Sequence, residues 1–426
     1  MSGVFGEEFK QNWPLISINL KLSKFGQKLI EKIRSIEKAQ TTNIDVAEFI
    51  KKSYDFPIDF PIQSCRVKSQ PQEHYPIIKQ QIASAYPVIH EKVIILIIDF
   101  LEHKLKYVSS YSDFINDGKR TKTKGEGIVM GIIGARLERQ GVMEFQDIII
   151  SENQNILKNG YGPKSIEIKA PKKSLLKMLN LRKRNALKKL QDYRRIWNKF
   201  YEENDHLHED VVKENNNPRY GNSLNSLLKV DYLIMKKRYA IAIDMLLLES
   251  DNRAKLAGKL AYIHMEDFWI CGVWLAEHQE SIFVETISQR LKYLLPYLNN
   301  IGVVHLGCFN SNEWGDLKNG GIFKSDYHPR GGIKTIISNQ PPDYDNMLLI
   351  VTYAWNANAL PGNEFWMRKL EDSNDASTAC STLISELHNP HINTEFVCGN
   401  NLHVACADYG ILHINDYVDK CLSSNI

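Results

Sequence analysis

The stretch that decides the fold runs from Asp113 to Glu138 and reads DFINDGKRTKTKGEGIVMGIIGARLE. Its glycines, with apolar residues between them, are Gly125, Gly127, Gly131 and Gly134. Glycine lets a backbone approach a ligand closely, and the free N–H groups at the start of a helix attract anions. The pattern predicts a loop that holds a phosphate and leads into a helix.

A second stretch, YAWNANALPGNEFW from Tyr353 to Trp366, directly follows the apolar run from Met347 to Val351. The apolar run predicts a strand, and the asparagines, proline and glycine after it predict a turn. Open α/β sheets bind ligands beyond the carboxyl ends of their strands. The turn after this strand therefore predicts a second phosphate loop at the same ligand site.

Composition excludes several classes of protein. The 426 residues carry 53 Lys and Arg against 50 Asp and Glu, so no overall charge attracts nucleic acid. The longest apolar stretch, Val93 to Ile98, is too short to span a membrane, and no Sec signal begins the chain. Seven scattered cysteines predict neither disulfides nor a zinc site. We expect a cytoplasmic protein, or one exported without a Sec signal.

The order of apolar and amphipathic segments predicts an α/β protein with a three-layer α/β/α arrangement. The expected parts are an N-terminal helical segment (1–86), the first part of the ligand-binding domain (87–154), a helical insertion (155–300) and the second part of that domain (301–426). The expected strands are Phe145 to Ile150, Val303 to Cys308, Ile333 to Ser338 and Met347 to Tyr353. The expected helices of the insertion are Pro171 to Asn204, which is strongly basic, Ser223 to Glu249 and Glu280 to Leu298.

The first loop also resembles a known family. Asp113, Phe114 and Asn116, followed by GEGIVMG and then Glu138, resemble macrodomains of the poly(ADP-ribose) glycohydrolase type. In those proteins Asp-Phe-x-Asn leads to a triple-glycine-valine loop and a Gln-Glu-Glu. Here Glu126 replaces the middle glycine and the Gln-Glu pair is lost. With the second loop, the chain looks most like MavL-type bacterial effectors, which are similar to arginine-specific ADP-ribosyl hydrolases.

The resemblance implies a macrodomain-like mixed sheet and a site for ADP-ribose, with no other cofactor. It places ADP-ribose against the two loops and against aromatic side chains that stack on adenine. The implied ligand-binding residues are Asn116, Gly125, Gly127, Ile128, Gly131, Phe145, Tyr353, Asn356, Asn358, Gly362, Asn363 and Glu364.

Cleavage of a ribosyl bond needs a carboxylate close to the anomeric carbon, where positive charge develops. Asp316 and Asp326 lie in the glycine-rich segment EWGDLKNGGIFKSDYHPRGG, which follows an expected strand, and Glu138 is the third candidate. An aspartate beside glycine is also common as a simple loop cap. His206 and His208 lack a third ligand, so no metal site is predicted.

The predicted function is hydrolysis that removes ADP-ribose from a modified protein side chain, in particular arginine, for example on a host protein such as ubiquitin. The partner would be the ADP-ribosylated protein, with the helical insertion as a surface for a further protein. Two alternatives stay open. One is a reader that binds ADP-ribose, or a partner-binding effector, without catalysis, and the other is a transferase that consumes NAD.

Overall fold

A computed structural model describes residues 87–92, 112–116, 127–132, 148–162, 187–188, 190–192, 194–195, 197–214, 216–223, 228–265, 276, 278–307, 313–338, 344, 346–354 and 403–423. The expected N-terminal helical segment and the whole of the second loop after Ala354 lie outside these residues. The domain limits at 86, 154 and 300 therefore stay predictions.

The described residues contain both strands and helices, as expected for an α/β protein. The strands are β1 (Pro87–His90), β2 (Ser112–Asn116), β3 (Gly127–Ile132), β4 (Ile149–Ile150), β5 (Tyr220–Asn222), β6 (Lys229–Asp231), β7 (Ala261–Met265), β8 (Ile301–Leu306), β9 (Glu313–Trp314), β10 (Leu317–Lys318), β11 (Ile322–Lys324), β12 (Gly332–Ile337), β13 (Leu348–Ala354), β14 (His403–Cys406) and β15 (Gly410–His413). The helices are α1 (His208–Lys213), α2 (Tyr232–Leu256), α3 (Gln279–Leu294) and α4 (Ile414–Ser423), with a 3-10 turn at Leu157–Asn159. Described residues between 187 and 201 are also helical, within the expected basic helix.

Ten of the strands form one mixed sheet in the order β11-β12-β8-β7-β13-β3-β2-β1-β14-β15. The strands β12, β8, β7, β13 and β3 run parallel to one another, and β2 is antiparallel to β3. Parallel strands are buried on both faces and read as continuous apolar runs, which explains why β8 and β13 are recognisable in the sequence. The strands expected near Val303, Ile333 and Met347 are present with shifted ends.

Three expectations of local structure were wrong. The segment expected as a glycine-rich loop contains the strand Gly127–Ile132, because its Ile-Val-Met-Gly-Ile run is apolar enough to pair with strands on both sides. The helix expected from Ser223 begins only at Tyr232, because Lys229–Asp231 form the strand β6, which pairs with Ile149–Ile150, the described end of the strand expected from Phe145, in the small sheet β4-β6-β5. The helical region after 223 also contains β7, which lies in the middle of the large sheet.

The core of the described residues is organised around helix α2, rather than as the three stacked layers that the sequence predicts. Consecutive residues from Ile243 to Ser250 are all buried, so every side of the helix faces protein. The helix contacts strands from β15 at one edge of the sheet to β8 near the other. Since strands twist relative to one another, a sheet of this width curves around a central helix. The described residues therefore give a mixed α/β fold, and the three-layer arrangement is not established by them.

Asp231 is the N-cap residue of α2 and fixes where the helix begins. Its carboxylate accepts hydrogen bonds from the backbone N–H groups of Leu233 and Ile234, both at 3.1 Å. The same carboxylate binds the Arg219 guanidinium at 2.7 Å. Aspartate is among the best residues for this capping position, so the helix starts one residue after β6 ends. Among the described residues, no helix combines the length and the apolar character needed to cross a bilayer.

Candidate active site

The parallel central strands share an amino end and a carboxyl end, and a reaction site can lie at either end of the strands. The chain passes from β7 to β8 and on to β12 in one direction, and then returns to β13 on the other side of β7. The order of the strands therefore changes direction between β7 and β13. Ligands of open α/β sheets bind at such a switch point, at the carboxyl ends of the strands.

Two histidines lie close to this switch point. His264 is the penultimate residue of β7, and His305 is the penultimate residue of β8 and its direct neighbour in register. Their rings have centroids 4.5 Å apart and are tilted by 37°. The side chains are buried, with 4% and 1% of their surface exposed. They form a stacked pair at the carboxyl ends of two central strands.

The hydrogen bonds of His305 determine its tautomer. Its Nε2 lies 2.8 Å from the carbonyl oxygen of Ser338, which can only accept, so Nε2 carries the proton. Its Nδ1 then accepts from the hydroxyl of Tyr262 at 2.9 Å. Burial lowers the pKa of His305, and burial together with His305 lowers the pKa of His264 to about 4. Both rings are therefore neutral near pH 7.

Sequence reasoning missed this pair. The signal was present, because AYIHM and IGVVHL each place a histidine one residue before the end of an apolar run. Short apolar runs are ambiguous between helix and strand, and β7 was assigned to a helical region. Without β7 in the sheet, nothing in the sequence brings His264 next to His305.

The opposite, amino end of the strands carries Asp326 in an anchored turn. His328 lies in the middle of this turn, between β11 and β12, and is buried. Its Nε2 donates to the carbonyl oxygen of Ile301 at 2.8 Å, and its Nδ1 accepts from the backbone N–H groups of Arg330 at 3.1 Å and Gly332 at 3.2 Å. Both ring nitrogens are therefore used to hold the backbone of the turn.

Glycine at position 332 is required for the same turn. Its φ is +142°, and a Cβ atom there would lie 2.1 Å from the carbonyl oxygen of Phe323. While His328 is buried, the neighbouring residues Asp326 and Tyr327 are exposed, Tyr327 by 84%. The turn thus presents an accessible carboxylate on a fixed backbone. The contacts of His328 give it a structural role in this turn.

Asp316 lies in the turn between β9 and β10 and is also exposed. Its carboxylate forms an ion pair with the ammonium group of Lys292, in the last turn of α3. The C-terminal end of α3 leads into the start of β8, so Asp316 lies at the amino ends of the central strands, as Asp326 does. The third catalytic candidate, Glu138, is outside the described residues.

The predicted ligand-binding residues divide between the two ends of the sheet. Asn116 and Ile128 are paired in register at the amino end of β3, where Gly127 also lies. Gly131 and Tyr353 are paired in register at the carboxyl end, next to the switch point. The remaining candidates are outside the described residues and are Gly125, Phe145, Asn356, Asn358, Gly362, Asn363 and Glu364. The described strands do not bring the two groups together.

Comparison with known proteins supplies the family. A model of MavL-like ADP-ribosylhydrolases matches residues 47–111 and 105–420. The chain belongs to this MavL-like family. ADP-ribosylarginine hydrolase CG2909 of Drosophila melanogaster is 36% identical over 517 aligned positions, which cover 99% of this chain and 98% of that protein. ADP-ribosylarginine hydrolase CG3568 of the same species is 35% identical over 503 positions, which cover 96% and 95%.

Membership of the MavL-like family confirms the expected enzyme class, an ADP-ribosyl-protein hydrolase. It also confirms the resemblance to MavL-type hydrolases that the two loop sequences indicated. The two relatives are insect proteins rather than bacterial effectors. Among the described residues, no three histidine, cysteine, aspartate or glutamate side chains come together as a metal site.

Proposed function

We propose that this MavL-like hydrolase removes ADP-ribose from modified arginine side chains of proteins. The observation that carries the proposal is identity of 36% over nearly the whole chain to a protein named as an ADP-ribosylarginine hydrolase. The substrate is then an ADP-ribosylated protein, and ADP-ribose is the product. No other cofactor takes part. We further propose that the two glycine-containing loops complete the mixed sheet to a macrodomain-like ligand site.

The reaction breaks the bond between the anomeric carbon of the ribose and a guanidinium nitrogen. The oxygen of a water molecule attacks the anomeric carbon, and the departing guanidine nitrogen keeps the bonding electrons and takes up a proton. Positive charge develops on the ribose in the transition state, so a carboxylate close to it lowers the barrier. A second role for such a carboxylate is to accept the proton of the attacking water.

We propose Asp326 as the carboxylate, with Asp316 as a second acid. The deeply buried carboxylates Asp205, Asp231 and Asp244 face arginines at 3.1, 2.7 and 2.6 Å and are therefore committed to ion pairs. Asp326 instead lies on the surface, where an arginine that belongs to another protein can reach it. The anchoring of its turn by His328 favours a fixed position for the carboxylate. Glu138 stays a third candidate.

For ADP-ribose we propose contacts at the loops that continue from the carboxyl ends of β3 and β13. Gly131 and Tyr353 lie at these ends, and the residues from Asn356 to Glu364 follow in the chain. Backbone N–H groups in such loops are suited to the diphosphate. Asn116, Gly127 and Ile128 lie at the other end of β3, which is the end of the strands at which Asp326 lies, so a reaction at Asp326 requires the reacting ribose to reach these residues.

The test compares linkages as well as activity. Wild type and Asp326→Asn are incubated with one protein ADP-ribosylated on arginine and with the same protein ADP-ribosylated on serine. Released ADP-ribose is measured by chromatography, and the remaining modification by mass spectrometry. We expect release from arginine by the wild type only. Binding of ADP-ribose without release would make the chain a reader, and release from serine would overturn the arginine assignment.

A further inference from the structure

The turn that carries Asp326 consists of two consecutive β-turns. The backbone N–H of His328 donates to the carbonyl oxygen of Ser325 at 3.2 Å, and that of Gly331 donates to the carbonyl oxygen of His328 at 2.9 Å. A third bond closes the base of the loop, from the N–H of Ser325 to the carbonyl oxygen of Gly331 at 3.0 Å. Together with the bonds of the His328 ring, these contacts fix the backbone of the whole turn.

Asp326 and Tyr327 are the two central residues of the first β-turn, so they form its tip. Among the described residues other than glycine, only Glu202 and Asn346 have a positive φ. Both tip residues therefore have the negative φ that a type I turn requires. Their Cα atoms are about 3.8 Å apart, the fixed spacing across a trans peptide bond. The two side chains thus start next to each other on a rigid backbone.

Tyr327 is the most exposed large hydrophobic side chain of the described residues, at 84% against 75% for Leu256. None of the described side chains hydrogen-bonds to Tyr327 or stacks on its ring. An aromatic side chain stabilises a fold mainly through the area that it buries, and Tyr327 buries very little. The fixed turn instead presents the ring to solvent, so both of its faces are available to a ligand.

The carboxylate of Asp326 is also free of an internal cation. Asp316, the other exposed acid at this end of the strands, forms an ion pair with Lys292, whereas no described lysine, arginine or histidine pairs with Asp326. The arginine of the same turn, Arg330, has its Nη1 atom 3.8 Å from the sulfur of Met347. The tip of the turn therefore presents an exposed carboxylate and an exposed aromatic ring on adjacent residues.

We propose that Tyr327 binds the guanidinium of the substrate arginine and makes the enzyme selective for that side chain. This inference rests on the proposed hydrolysis of ADP-ribosylarginine and adds the residue that recognises the leaving group. A guanidinium is a planar cation whose N–H edge binds a carboxylate and whose face stacks on an aromatic ring. Asp326 and Tyr327 offer these two partners side by side. A serine side chain has neither the charge nor the plane, so it gains nothing from the ring.

The contact with Tyr327 contributes to binding of the substrate rather than to the chemical step. The guanidinium is a cation while the substrate is bound, and its positive charge passes to the ribose as the bond to the anomeric carbon breaks. The attraction between the ring and the cation is therefore not strengthened in the transition state. Loss of the ring should raise the KM without lowering kcat.

The experiment measures release of ADP-ribose from a short peptide with one ADP-ribosylated arginine, by the full chain as wild type, Tyr327→Phe and Tyr327→Leu. Tyr327→Phe keeps the aromatic face and is the matched control, and Val212→Ser changes another exposed apolar side chain, on α1. For Tyr327→Leu we expect a KM about 5- to 10-fold above that of wild type, with kcat undiminished. Tyr327→Phe and Val212→Ser are expected to keep both constants of the wild type.

Inhibition by the product distinguishes the guanidinium from the adenine as the group that the ring binds. ADP-ribose contains adenine but no guanidinium, so its inhibition constant should be the same for wild type and Tyr327→Leu. An inhibition constant that rises together with the KM would place the ring on adenine and overturn the proposal. A wild-type KM in Tyr327→Leu also overturns it. So does a Tyr327→Phe variant as impaired as Tyr327→Leu, because the hydroxyl group rather than the ring would then make the contact.

Failure of the proposed hydrolysis gives a different result, because the wild type would then release no ADP-ribose from the peptide. Calorimetric titration of the intact peptide into wild type and Tyr327→Leu then takes the place of the KM. Weaker binding to Tyr327→Leu, with unchanged binding of ADP-ribose, would support the contact with the guanidinium in a protein that binds without cleaving. Equal binding of the peptide to both, or no binding to the wild type, would overturn it.

Discussion

At the amino ends of the central strands a single histidine holds backbone groups in place, whereas at the carboxyl ends two histidines lie against each other. His328 uses both ring nitrogens on backbone groups and so anchors the turn that carries the exposed Asp326. His264 and His305 are buried next to the switch point of the sheet and are kept neutral. The amino end therefore offers an accessible acid, and the carboxyl end contains a buried pair of neutral rings.

This difference between the two ends of the strands indicates where to test nucleotide binding and where to test catalysis. The rule for open α/β sheets favours the carboxyl ends for binding a nucleotide, because loops from several strands converge there. A substrate attached to another protein also needs reactive groups that are reachable from outside, and the exposed carboxylates of Asp326 and Asp316 are at the other end. Variants at each end decide how the two ends share the reaction.

The largest effect is expected for Asp326→Asn. If the carboxylate stabilises the transition state, kcat falls by about 100-fold or more, while stability changes by less than about 0.5 kcal/mol because the side chain is exposed. Steady-state release of ADP-ribose and urea unfolding measure the two quantities. Glu209→Gln, an exposed acid on α1, is the control and should leave both unchanged. Full activity of Asp326→Asn would exclude Asp326 as the catalytic carboxylate.

The next effect is on stability at the amino end. His328→Ala removes three hydrogen bonds and leaves the backbone groups of Ile301, Arg330 and Gly332 without their partner. Each buried unpaired group costs about 1 to 3 kcal/mol, so we expect a loss of roughly 3 kcal/mol in the free energy of unfolding. Urea unfolding measures it, with Lys324→Ala in the adjacent strand β11 as an exposed control.

Activity of the same variant links the turn to Asp326. If the turn positions Asp326, His328→Ala lowers kcat under conditions where the protein is still folded. A variant that is destabilised but has the kcat of wild type would show that the turn is structural alone.

At the carboxyl end the expected effect depends on pH. The pKa of His264 is about 4 in the fold, below the usual 6.5, so the unfolded chain binds a proton more readily between these values. Stability contributed by the neutral ring is complete above pH 6.5 and is lost as the pH falls towards 4, by up to about 1.4 kcal/mol per pH unit. His264→Gln should flatten this slope. His305 and His206 add to the slope in both proteins, so only the difference between them is attributed to His264. An equal slope in wild type and variant would contradict the neutral pair.

The sequence predicts the central parallel strands better than it predicts the contact between the histidines in them. The parallel strands β8, β12 and β13 are continuous apolar runs and were located within a few residues. The strand β7 was missed, because a five-residue run with four apolar residues, between two helices, carries no period that separates a strand from a helix. Resemblance at two loop sequences indicated the MavL-like family, and the family model confirms it. The pairing of His264 with His305 depends on strand order, which local sequence does not encode.

The smallest effect is expected for the ion pair between Lys292 and Asp316. Both side chains are about half exposed or more, at 49% and 66%, so solvent screens their attraction. Lys292→Ala should change the free energy of unfolding by less than about 0.5 kcal/mol, which urea unfolding measures. Activity is the sharper readout, because removal of the lysine frees the Asp316 carboxylate. If Asp316 binds the guanidinium of the substrate, the KM of Lys292→Ala falls, since the substrate no longer competes with a neighbouring cation. An unchanged KM would show that Asp316 does not bind the substrate. Asp326 would then be the acid at the amino ends of the strands that takes part in the reaction.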